Sequence, residues 1–210
     1  MMPTANDALT ELPSEPLCLQ FADTTGNYRG TSAYDLVSDI EGLIEWCKRA
    51  GIVSPAQARA CRLDARRRPD AARRVHERAL ALRRSIHGIG AALALGRSPA
   101  ADDIATLNSV LQQALSHTIL SPGRPSRWSF DEGGNRLERL LWPIARSAAD
   151  LFTSTNAEKL VQCAGQTCDW LFLDQTKNRS RRFCTSAGCG NRDRVARFYE
   201  RRRTASRRRR

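Results

Sequence analysis

Apolar residues recur along the chain at the three-to-four spacing of amphipathic helices, interrupted by a few alternating or broken stretches. Residues 33–50 place Leu36, Val37, Ile40, Leu43, Ile44 and Cys47 on one side, with Gly51 positioned to end the helix. Ser54 to Gln57 is a capping-box pattern that opens a short Arg-rich helix. A long helix is predicted from Asp70 to Leu95, with Val75, Leu82, Ile86, Ile89 and Leu93 on one face and Gly96 at its end. Ser98-Pro99 opens another, through Ile104, Leu107, Val110, Leu111 and Leu115. Leu137 to Phe152 resumes the stripe, and Pro143 either kinks this helix or sits in its first turn. Thr155 to Glu158 is a second capping box, launching a short helix into Cys163.

Strand signals are fewer. Leu17-Cys18-Leu19-Gln20-Phe21 alternates as a strand does and runs into a turn over Asp23 to Gly26. Between Ser116 and Phe130 the pattern breaks into Pro, Gly and Ser, with Arg127 to Phe130 as the strand of a hairpin. The expected fold class is mainly α with a few strands (α+β). Residues 1–152 form a helical domain with a small β element, 153–162 a short connector, 163–206 a separate small unit and 207–210 an Arg tail. The connector is short and capped, so the two units are expected to pack together.

Cysteine spacing identifies the small unit. Cys163, Cys168, Cys184 and Cys189 form two C-x4-C pairs separated by fifteen residues. Each pair can chelate from a single turn, and together they close a tetrahedral S4 site for zinc. The alternative is four unrelated core cysteines, against which the surrounding pattern argues. Trp170 to Asp174 reads as a strand, Thr176 to Arg179 as a turn, and Ser180 to Phe183 as a return strand into Cys184. A basic helix follows, with Asn191 as its N-cap. This hairpin-plus-helix pattern suits a closed zinc site better than an iron–sulfur cluster. Four protein thiolates leave no position open for water, so one structural zinc per chain is expected. Some forty residues bury too little apolar surface to fold alone, which makes the metal a source of folding free energy. Trp170, Phe172, Phe183, Phe198 and Tyr199 are the expected mini-core, and Cys18, Cys47 and Cys61 lack motif spacing and read as buried spectators.

Charge singles out the same end of the chain. Residues 177–210 hold fourteen basic side chains against Asp193 and Glu200, whereas residues 1–176 hold twenty of each sign. The net charge of +12 therefore sits on the final 34 residues, as expected of a module that binds a polyanion. Arginine outnumbers lysine 31 to 3, a bias that genome composition can produce and that points to a bacterial source. Genome bias does not explain why acidic partners thin out only here. A merely solvated basic tail is the competing reading.

Other classes find little support. No run of eighteen apolar residues occurs, so no membrane span is expected. Met1 to Glu15 is polar, with neither a basic nor an apolar leader region, so the expected location is the cytoplasm, where a reducing environment also suits metal-bound thiolates. Residues 1–152 offer no phosphate-cradling Gly-rich loop and no nucleophile elbow, and His76, His87 and His117 lack ligand-spaced partners. The pair Asp102-Asp103 sits at a predicted helix start, where the macrodipole accounts for it. The protein is not expected to be an enzyme.

Cys189-Gly190-Asn191-Arg192, following the paired cysteines and preceded by W-x-F-x-D and R-R-F-C, resembles the CGNR zinc finger of bacterial proteins. Members of that family carry the finger, treble-clef-like in build, after an α-rich domain with a few strands called ABATE. Cys18 to Phe21 with Asp23-Thr24 is similar to its opening F-x-N-T signature, with Asp23 in place of Asn; Trp46 and the Leu82-Arg83 pair are similar to family positions too. The resemblance implies a stress-induced transcription regulator.

Arg181, Arg182, Arg192, Arg194, Arg197 and Arg201 are the candidate nucleic-acid contacts. Arginine grips phosphates bidentately and reads guanine edges, phosphate contact being the commoner use. The expected partner is double-stranded DNA, with location on the nucleoid following from it; exposed arginines suit RNA or an acidic protein surface as well. The helical domain is expected to sense a small molecule or partner. A lone small finger offers few side chains to a groove, so specific recognition calls for two chains on one site, making a homodimer an expectation.

Overall fold

The computed structural model describes residues 15–26, 34–131 and 136–207; Met1 to Ser14 and the Arg208–Arg210 end of the predicted tail lie outside the described residues. The first element corrects the sequence pattern. Leu17–Ala22 is a helix (α1) rather than a strand, and it buries Cys18, Leu19, Phe21 and Ala22. That set follows helical spacing, because Cys18 behaves as a small hydrophobe and not as the polar half of an alternation.

Helix α2 (Ile40–Arg49) begins later than the apolar stripe. Asp39 caps it by accepting the Gly42 amide at 2.7 Å, satisfying a donor that the first turn leaves unpaired. Gly51 follows at φ +73°, a conformation that favours glycine. Helix α3 (Pro55–Arg67) opens on the predicted capping box, with Ser54 and Gln57 each bonding the other's backbone amide. Helix α4 (Pro69–Ala94) is the long one, and Gly96 lies beyond its end at φ +64°. Helix α5 (Ala101–Ser116) buries Leu107, Val110 and Ala114 and leaves Ile104 and Leu115 exposed.

The predicted hairpin pairs β1 (Thr118–Ser121) with β2 (Arg127–Phe130), Thr118 opposite Phe130. Helix α6 (Trp142–Phe152) takes Pro143 in its first turn, where a missing N–H costs nothing. Ser154, not Thr155, caps the next element, a 3-10 turn over Thr155–Lys159. The chain then enters β3 (Leu160–Gln162) instead of a helix. This strand pairs antiparallel with β4 (Leu171–Leu173), Leu160 opposite Leu173. Ser180 to Phe183 is therefore not the partner strand. Asp174 draws that segment into a loop instead, its carboxylate accepting the Thr176 amide, the Thr176 hydroxyl and the Arg181 amide. A wide turn over Ser186–Gly190 leads into α7 (Asn191–Arg207).

One core joins the helices to the β3–β4 ribbon. Leu160, Leu171 and Leu173 are buried in the cluster that holds Phe21, Trp46, Leu82, Ile86 and Ile144. Gly90 makes this packing possible: a Cβ built there would lie 2.5 Å from Leu171 Cδ1, and Leu171 is fully buried. Overpacking a filled core costs about 1–3 kcal/mol. Gly90→Ala is therefore expected to lower the unfolding free energy read from urea melts by up to that amount, offset in part by the better helix propensity of alanine; an unchanged midpoint would show that Leu171 moves aside freely. On the same helix Arg83 is buried and holds Asp35 through two bonds of 2.6 Å and Thr24 Oγ1 at 3.0 Å. This pins the segment before α2 onto α4.

Candidate metal centre and basic groove

The sulfur atoms of Cys163, Cys168, Cys184 and Cys189 all lie within 4.8 Å of one another, and all four residues are buried. Cys163 follows β3, Cys168 precedes β4, Cys184 precedes the wide turn before α7 and Cys189 lies within that turn. A tetrahedron of thiolates on zinc, with bonds of ~2.3 Å, has edges of roughly 3.8 Å. The Cys168–Cys184 and Cys184–Cys189 sulfur separations are 3.8 and 3.6 Å, so the residues present fit that ion.

The surroundings supply donors suited to thiolates. Cys163 Sγ faces the backbone amides of Gly165 at 3.5 Å and Cys184 at 3.4 Å, and Arg192 Nη2 donates to Cys189 Sγ at 3.0 Å. Contact with its fellow cysteines, reinforced by Arg192, holds the Cys189 thiol well below the ordinary range; the same crowding pushes Cys184 up. Such a set gives up protons more readily once a cation is present. Gly165 and Gly190 let backbone approach closely: a Cβ at Gly165 would stand 3.2 Å from Cys189 Sγ, and one at Gly190 would stand 3.3 Å from the Thr185 carbonyl. Thr185, not Asn191, caps this end, its hydroxyl accepting the Gly188 amide at 3.0 Å, while Asn191 is already helical. Bound here, zinc holds the Cys163–Cys168 loop and the start of α7 to a common point.

The outer edge of β4 is gripped by the helical domain. One edge pairs with β3; on the other, the Leu171 amide donates to Asp23 Oδ1 at 3.1 Å and the Leu173 amide to Glu15 Oε2 at 3.0 Å. Trp170 Nε1 donates to the Thr25 carbonyl at 3.0 Å, and His87 Nε2 sits 2.9 Å from the Asp169 carbonyl. Sequence reasoning missed Glu15 and His87 in this role. The Asp23-Thr24 string is visible in the chain, but its partner lies 148 residues away.

Burial pushes the Asp23 carboxyl well above the usual range despite the bond from Leu171. A native group that keeps its proton while the unfolded one ionises loses stability as pH rises above the unfolded value, until the native value is passed. Asp23→Asn retains an acceptor for Leu171 and cannot ionise. The variant is thus expected to be less pH-sensitive from about pH 4 upward, and Asp23→Ala to cost about 1–3 kcal/mol at acid pH by orphaning the Leu171 amide, a cost that shrinks as pH rises because the wild type alone loses stability there. Urea melts across pH check both, and parallel profiles for wild type and Asp23→Asn would refute the assignment.

The six arginines separate into two sets. Arg181 is occupied: it donates to the Phe183 carbonyl at 3.1 Å and to the Cys184 carbonyl, lies over the Phe172 ring at 4.3 Å and faces Glu15 Oε1 at 3.8 Å. Arg192 is engaged with Cys189. Arg182, Arg194, Arg197 and Arg201, together with the occupied Arg181, line a groove of about 590 Å³ between residues 181–186 and α7, beside Phe183, Phe198 and Asp193. Trp170 and Phe172 are buried in the finger and Phe183 packs against them, whereas Phe198 and Tyr199 are 54% and 60% exposed and are not core. Cys18, Cys47 and Cys61 are buried away from the cluster, as expected of spectators.

Two family models match the chain. The CGNR zinc finger matches residues 159–202. ABATE, described as "Putative stress-induced transcription regulator", matches residues 15–155. The chain belongs to the ABATE family. No curated protein matches it. ABATE residues Glu15, Asp23, Thr25 and His87 are thus among those that hold the CGNR finger. Asp23, at the Asn of the signature, still presents the oxygen that the Leu171 amide needs. Among the described residues no helix is long and apolar enough to cross a membrane.

Proposed function

We propose that this ABATE protein is a DNA-binding transcription regulator that grips DNA with its zinc finger and senses a small molecule through its helical domain. The observation that carries the reading is the groove beside α7, where Arg182, Arg194, Arg197 and Arg201 face one bounded surface and Asp193, paired with Arg197 at 2.7 Å, is its acidic member. Guanidinium groups so placed suit phosphates spaced along a strand. The family description as a transcription regulator supports a nucleic acid over other polyanions.

For sensing, a groove of about 480 Å³ lies between the β1–β2 hairpin and α6. Trp128, 66% exposed, forms part of it, with the Arg146 guanidinium 5.7 Å from its ring centroid. An aromatic face beside a cation suits a planar ligand. The zinc is structural in this reading, since the four thiolates complete a tetrahedron and leave no position open to substrate. Its place is the bacterial cytoplasm, on the nucleoid, as a dimer on paired sites. Titrating the zinc-loaded chain against labelled duplex DNA at two salt concentrations tests the reading. Binding that weakens steeply with salt is expected; no binding at low salt overturns it.

A further inference from the structure

Phe198 and Tyr199 lie on an otherwise strongly polar helix, exposed to water, and they meet edge to face at 5.7 Å. Phe198 opens into the arginine-lined groove, and Phe183 enters it from the loop side. Arginines flank both rings: Arg182 lies 5.7 Å from the Phe183 centroid and Arg202 5.7 Å from that of Phe198. A helix that reads the major groove presents a free convex face to base edges. Here the 194, 197, 198 and 201 side of α7 is instead one wall of a cleft whose other wall is the 181–186 segment. Basic clefts with aromatic rings are how proteins hold unpaired nucleotides, phosphates on the cations and bases on the rings.

We propose that this cleft takes an unpaired stretch of nucleic acid, with a base stacked on Phe198 and its flanking phosphates held by Arg194, Arg197 and Arg201. The proposal rests on the nucleic-acid reading above and deepens it. It predicts that the finger prefers single-stranded DNA, or a duplex carrying an unpaired bulge, to a fully paired duplex. Charge favours this occupant over an apolar peptide, because five arginines line the cleft against one aspartate that is already paired.

The test uses the full zinc-loaded chain and anisotropy titrations with an oligothymidylate, a paired duplex and the same duplex with a two-base bulge, at one salt concentration. Oligothymidylate and the bulged duplex are expected to bind about tenfold or more tighter than the paired duplex. Phe198→Leu, which keeps apolar bulk and removes the ring, is expected to weaken oligothymidylate and bulged-duplex binding about tenfold and so erase that preference. Phe198→Trp is expected to retain it. Because Phe198 is exposed, both variants should keep their zinc, and zinc content is measured alongside. Equal affinity for all three DNAs, or a preference untouched by Phe198→Leu, overturns the proposal while leaving the nucleic-acid reading in place. Binding of none of them overturns both. Competition by oligoglutamate as strong as that of oligothymidylate also overturns it, since that chain offers charge without bases.

Discussion

Cys163→Ser is expected to yield a protein without stoichiometric zinc and with a much lower melting temperature. The four sulfur atoms converge within 4.8 Å from segments on both sides of β4, and among the described residues no other set of metal-ligating groups gathers in this way. Structural zinc in small fingers contributes roughly 10 kcal/mol or more of binding free energy, which is folding free energy when the site forms only on folding. Removing one thiolate leaves three ligands and a buried hydroxyl too hard for that role. Elemental analysis and a thermal melt check the result. Cys18→Ala, Cys47→Ala and Cys61→Ala should each keep one zinc per chain, since those residues lie in the helical core away from the cluster. Chelation has a graded outcome. Helices α1 to α6 contain none of the four ligands and should keep most of their far-UV signal. The melt should still shift, because Leu160, Leu171 and Leu173 belong to the helical core and are joined to the cysteine loops. Zinc retained in Cys163→Ser, or a melt indifferent to chelation, would refute this account.

What can be read from the chain alone follows from which interactions are local. The apolar stripes of α2 and α4, the Ser54–Gln57 box and Gly96 are rules of one helix turn, and the structure follows them, whereas the α5 stripe holds at Leu107 and Val110 but not at Ile104 and Leu115, which are exposed. The cysteine spacing is legible for a similar reason, since each pair must chelate from its own turn. Failures fall where distant groups decide. β4 finds its partner in β3 because Asp174 captures Thr176 and Arg181 and folds the expected return strand into a loop. Leu17–Ala22 becomes helical because Cys18 and Leu19 are both buried, against the alternation that residue types suggest there. Phe198 and Tyr199 look like core by type, yet α7 extends past the body that would cover them. The six arginines look equivalent as a charge run. Geometry assigns Arg181 to the loop carbonyls and Arg192 to a thiolate, leaving Arg182, Arg194, Arg197 and Arg201 for the cleft.

That division carries the remaining large effect. Replacing Arg194, Arg197 and Arg201 together with alanine is expected to weaken DNA binding by roughly two to three decades at 0.1 M salt and to flatten the log–log salt slope by about 2 to 3 units. Every phosphate that no longer meets a guanidinium keeps its condensed counterion, so slope and affinity should fall together. None of the three bonds a zinc ligand, and Arg197 pairs with Asp193 on the same helix, so zinc content and melting temperature should hold. Arg192→Ala separates charge from position. It removes the same unit charge from the same helix, but its guanidinium donates to Cys189 Sγ at 3.0 Å. Loss of an outer-shell partner typically weakens metal affinity about 10- to 100-fold. Arg192→Ala should therefore weaken zinc binding in competition with a chromophoric chelator, and alter the salt slope of the zinc-saturated protein little. A slope that drops by one unit in Arg192→Ala with zinc affinity unchanged would return this residue to the nucleic-acid face and undo the assignment made from its bond to the thiolate.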